Sequence, residues 1–168
     1  MTIKGYHGTN HDTARQVELS WSLEELMQDS GLGRGLYFYT DNDKISKPSP
    51  VFLKNYGTYR SQLIKFAVVS ADIHVERAEH VFNIEENDVI KSEIDKIQKA
   101  LEQILPSETG LYEKSIRLLL NKCDVFPDIV MHKTSILHKI SREQLGVVRI
   151  YMLNDKCIDK KTIKLQYQ

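Results

Sequence analysis

His7-Gly8-Thr9 and the run Gly33-Arg34-Gly35-Leu36-Tyr37-Phe38-Tyr39-Thr40-Asp41 are the two stretches of this chain whose residue types suggest chemistry. An imidazole at the end of a strand can donate or accept a hydrogen bond. A glycine directly after it lets a ligand approach the backbone closely, and Thr9 adds a hydroxyl. In the second stretch, glycines open an aromatic strand. Side-chain alternation puts Tyr37 and Tyr39 on one face and Leu36 and Phe38 on the other. One face then serves the core and the other offers tyrosine rings to a planar ligand.

The elements that must position these residues are legible from periodicity. A short strand is predicted over residues 3–6. Thr9 or Asn10 caps a helix over 12–18, with Ala14 and Val17 on one side. Ser22 and Glu25 have capping-box spacing, which predicts a short helix through Met27. Gly31, Gly33 and Gly35 interrupt regular structure, and a strand follows over 36–39. Residues 44–49 read as a loop, 51–59 as a helix carrying Phe52, Tyr56 and Tyr59, and 62–69 as a strand that residues 72–75 continue or turn. The clearest helix is 88–105, where Ile90, Ile94, Ile97, Leu101 and Ile104 repeat at helical spacing between an Asn87 cap and Pro106. A second helix is predicted within 110–123, with Ile116, Leu119, Leu120 and Cys123 on one face. Strands follow at 129–131, 147–153 and 162–167, and Ser141 to Gln144 has a second capping-box spacing. Strands at both ends with helices between them predict an α+β domain spanning 1–168, with a helical insertion at about 86–123.

Composition narrows the function classes. The 168 residues suit one domain, and a hydrophobic share of 41% is enough for one core. Twenty-three basic and 23 acidic side chains cancel, so no global field draws the protein to nucleic acid or to an anionic membrane. The charge is uneven: residues 72–113 hold 11 acids and 4 bases, and 132–168 hold 8 bases and 3 acids. Most of those lysines read as solvated positions, and a contact of the basic stretch with a phosphate backbone is the weaker expectation. Cys123 and Cys157 lie far apart, as expected of thiols in a reducing compartment. With no apolar run long enough to span a bilayer and no leader at the N-terminus, the cytoplasm is the expected location. The chain has no GxxxxGK[ST], HExxH, paired CxxC or GxSxG. Its Gly31-Gly33-Gly35 run is not a dinucleotide fingerprint, because a strand follows where a helix should. His132 and His138 share no metal spacing.

Taken together, "YHGT" and "GRGLYFYTD" resemble the first two motifs of the ADP-ribosyltransferase superfamily, in its diphtheria-toxin-like and poly(ADP-ribose)-polymerase-like branch, which works with a His, a Tyr and an acid or Gln. The resemblance implies an α+β split β-sheet sandwich with flanking helices, and NAD as co-substrate with release of nicotinamide. It implies that His7 bonds a ribose hydroxyl, that the Gly8 backbone pairs with the carboxamide, that Tyr37 stacks on the nicotinamide and that Thr9 lies near the adenosine. Arg34 and Gly35 belong to the same implied NAD site. Tyr56, with Tyr59 behind it, is the implied second stacking aromatic. The third catalytic position should open a late strand: Asp128 is the first candidate, one methylene shorter than Glu, and Glu143 and Gln144 are its rivals. A carboxylate there would stabilise the oxocarbenium-like centre left when the bond to nicotinamide breaks.

The acceptor is open between a protein and a nucleic acid, and small members of this superfamily resemble toxins, so an antitoxin or immunity protein is an expected partner. Two other readings keep the fold. One is a non-catalytic domain that binds NAD or ADP-ribose. The other is an NAD-consuming RNA 2′-phosphotransferase, whose site needs several arginines where the motifs here hold only Arg34.

Overall fold

The computed structural model describes residues 1–41, 66–137 and 144–167. Among them are eight strands: β1 (Thr2–Asn10), β2 (Gln28–Ser30), β3 (Gly33–Asp41), β4 (Phe66–His74), β5 (Val81–Asn83), β6 (Ile129–Leu137), β7 (Gln144–Met152) and β8 (Ile158–Tyr167). Three α-helices accompany them: α1 (His11–Ser20), α2 (Asp88–Ile104) and α3 (Leu111–Lys122). The strands join in the order β5-β6-β7-β3-β1-β4-β8, with β2 paired to β3 as a hairpin. Only the β5–β6 link is parallel. The chain is therefore α+β with a mostly antiparallel sheet.

Local sequence explains the helices. The Asn10 side chain accepts from Thr13 N–H and starts α1, which buries Ala14 and Val17. The Asn87 side chain accepts from Val89 and Ile90 N–H and starts α2, which ends just before Pro106. The Ser22 spacing yields less than predicted. Ser22 Oγ accepts from Glu24 N–H, but only a three-residue 3-10 turn, Glu24–Leu26, follows. The strands run longer than predicted, because their ladder partners extend them into residues with weak strand propensity. β3 in particular begins at Gly33. The predicted loop at 44–49, helix at 51–59 and turn at 141–144 fall wholly or mainly outside the described residues.

The sheet carries a core on each face. On one side Ile3, Val17, Leu36, Phe38, Val69, Ile73, Ile150 and Met152 pack together. On the other, Tyr37, Val130 and Tyr151 pack against Ile94 of α2 and Ile116, Leu119 and Leu120 of α3. Leu36 and Phe38 thus face away from Tyr37, as alternation requires. No helix among the described residues is long and apolar enough to cross a membrane.

Candidate functional site

β1 and β3 bring the two motifs onto neighbouring strands. Their ladder consists of a single registered pair, Tyr6 with Tyr39. No other pair of β1 and β3 is registered, while β1 runs in register with β4 as far as Asn10. Gly8 is registered with Val68 of β4, and no residue of β3 is registered opposite it. Next to the single pair His7 Nδ1 lies 2.6 Å from the Tyr37 carbonyl oxygen. A carbonyl only accepts, so Nδ1–H is the donor, and in the neutral imidazole Nε2 is then the acceptor nitrogen. The side chain takes over a hydrogen bond that a continuous ladder would have given the Tyr37 carbonyl.

That contact runs through the backbone of Tyr37, not its ring. His7 packs against Phe38, with ring centroids 5.8 Å apart, on the Leu36 and Phe38 face. The Tyr37 ring lies on the opposite face and is 0% exposed. The Arg149 guanidinium sits over it, 4.3 Å from the centroid, and the Tyr151 ring lies 5.1 Å away. The Tyr37 hydroxyl donates to the Gly33 carbonyl at 2.7 Å and shares a hydrogen bond with the Ser30 hydroxyl. Burial pushes the phenol well above its ordinary pKa. The ring expected to stack on a nicotinamide is thus packed by this chain's own side chains, on the face of the sheet opposite the His7 ring.

Asp128 is also placed elsewhere. β6 stands three strands from β1, about 14 Å at ordinary strand spacing. Its carboxylate accepts from Glu79 N–H and pairs with Lys156 Nζ, both at 2.7 Å. The Lys156 hydrogen bond is the main cause that holds its pKa below the ordinary carboxylate range. Asp128 thus pins the β7–β8 turn and the start of β6. Arg34 is exposed and lies 3.9 Å from Asp29 across the β2–β3 hairpin. A Cβ on Gly35 would collide with Tyr151 Cε2 and come within 2.6 Å of the Met152 carbonyl, so its small size serves packing within the sheet. Thr9 is half-buried and registered with Ala67. Tyr56, Tyr59 and Glu143 lie outside the described residues. Gln144 is the first residue of β7, registered with Leu137.

Sequence reasoning missed a buried polar group around Tyr37. Glu113 of α3 pairs with Arg149 Nη1, and its Oε1 lies 3.5 Å from His132 Nε2. Burial alone would raise the Glu113 pKa, but the His132 and Arg149 side chains hold it below the ordinary value. Arg149 also reaches over Tyr39, at 5.6 Å. His132 Nε2 and Arg149 Nε have no hydrogen-bond partner among the described residues. The signal was present in the sequence: Glu113 falls on the apolar face of α3, three residues before Ile116 and seven before Leu120, and Arg149 interrupts an apolar strand.

No family model, curated protein or solved structure matches the chain.

Proposed function

We propose that the chain is an NAD-dependent ADP-ribosyltransferase that binds NAD along the His7-Gly8-Thr9 edge of β1 and releases nicotinamide as ADP-ribose passes to a macromolecular acceptor. One observation carries this reading: the β1–β3 ladder holds the single registered pair Tyr6 with Tyr39, and His7 is fixed beside it by the Tyr37 carbonyl. Within the resemblance, a ladder this short is where a split in the sheet would admit the co-substrate. The residues fit NAD in part. The backbone of Gly8 on the β3 side suits the carboxamide, and His7, held at this edge by the Tyr37 carbonyl, is the imidazole that the resemblance sets beside a ribose hydroxyl. The Tyr37 ring does not fit, and Asp128 supplies no charge at this place. The acid or amide of the reaction would then come from another position, with Glu143 and Gln144 the candidates already named.

The engaged Asp128 and the enclosed Tyr37 favour a second reading, a domain that binds NAD or ADP-ribose without transfer. Incubation with NAD labelled in the nicotinamide ring separates the two. Transfer predicts release of free nicotinamide, reduced about 10²–10³-fold in His7→Ala. Binding alone predicts a calorimetric isotherm with NAD and no release. Neither heat nor release, with the fold intact by circular dichroism, would reject both.

A further inference from the structure

Between the C-terminal half of α3 and the start of β6 lies a cavity of about 260 Å³, on the Tyr151 face of the sheet and so opposite the His7 ring. Leu120, Val130 and Tyr151, all buried, form its inner wall, and Arg34, Arg117 and Phe126 stand around it. Phe126 is 71% exposed, so its ring is open to a ligand at the rim.

We infer that this cavity is a binding site for a small dianion carrying one flat ring, an aryl phosphate in chemical type. The apolar wall with Tyr151 and Phe126 suits a planar ring. The charge comes from two guanidinium groups. Arg117 has no ion-pair partner among the described residues. Arg34 has only Asp29, at 3.9 Å with both side chains exposed, a pair that water screens and a ligand displaces at little cost. Two forked cations around one opening match a phosphate better than a carboxylate. Size sets the upper limit. Sites for drug-sized ligands run from about 300 to 1,000 Å³, so this cavity takes one ring and its anionic group and not a dinucleotide. It is a second site, independent of the NAD-binding edge proposed above.

Titration of the full ¹⁵N-labelled chain with phenyl phosphate, followed by amide shifts, tests the assignment. Saturable shifts are expected at Gly33, Val130 and Tyr151, with inorganic phosphate at least about tenfold weaker because the ring contacts are lost. Arg117→Ala, at an exposed position, should weaken phenyl phosphate by about tenfold or more. Three results would overturn the proposal: no saturation, shifts that map elsewhere on the chain, or equal binding of inorganic phosphate, which marks an adventitious ion only. Wild-type affinity in a folded Arg117→Ala variant would do the same.

Discussion

Glu113 and Arg149 show what a single pair of residues does here. Two charges withdrawn from water are costly, and they persist together because each neutralises the other while Arg149 stacks over Tyr37. Removing one partner leaves the other buried and uncompensated. Glu113→Ala should therefore lower the free energy of unfolding by about 3–5 kcal/mol, measured by urea denaturation. The double change Glu113→Leu with Arg149→Met should recover most of that loss, since an apolar pair of similar volume carries no desolvation cost. Additive losses in Glu113→Leu, in Arg149→Met and in the double would show that the side chains are not coupled. Tyr37→Phe should cost less, about 1 kcal/mol, because it deletes one hydroxyl and leaves the Gly33 carbonyl short of a donor.

At the scale of elements, the question is how strands place side chains, and β3 is the informative case. Alternation correctly separated Tyr37 from Leu36 and Phe38. It could not say which face would be left for a ligand, because that depends on α2 and α3, which fold back over the Tyr37 side. The helices were legible because their signals are local: Asn87 and Pro106 bracket an unbroken 3–4 repeat in α2. The start of β3 was not, because glycine has poor strand propensity and the hairpin of β2 with β3 exists only through pairing. Asp128 looked like a free acid at a strand start because its partners, Lys156 and Glu79, are remote in sequence. His7 and Gly8 were legible as a site candidate from residue type alone, whereas the single-pair ladder of β1 with β3 is a property of the sheet. Gly35→Ala tests the packing reading of β3. The added methyl would meet a Tyr151 ring carbon and the Met152 backbone, neither the free end of a flexible chain, so β3 and β7 must shift apart. A loss of about 1–3 kcal/mol in thermal or urea unfolding is expected. An unchanged midpoint would mean that the β3–β7 contact is looser than described.

For the whole molecule, zero net charge at pH 7 means that overall repulsion is absent there and builds up only as the carboxylates take up protons in acid. Several sit below their ordinary pKa in the folded chain, among them the partly buried Asp128 beside Lys156 and the buried Glu113 beside His132 and Arg149. A group whose folded pKa is depressed binds its proton more readily when unfolded. Its stabilisation is complete above the unfolded value and is lost as pH falls through the folded one. For Glu113 the ordinary value is 4.5, so the loss lies below that. The midpoint of urea unfolding should hold steady from neutral pH down to about 5 as far as these carboxylates decide it, then fall steeply. Glu113→Gln removes one titrating group from that fall. The variant should be less stable than the parent at pH 7, where a charge-assisted pair with Arg149 is replaced by a neutral amide. The gap should close as the parent's own carboxylate takes up its proton in acid. A gap that stays constant from pH 7 to about 2 would show that Glu113 does not titrate with folding, and the buried pair would lose its place as the acid-sensitive contact between α3 and the sheet.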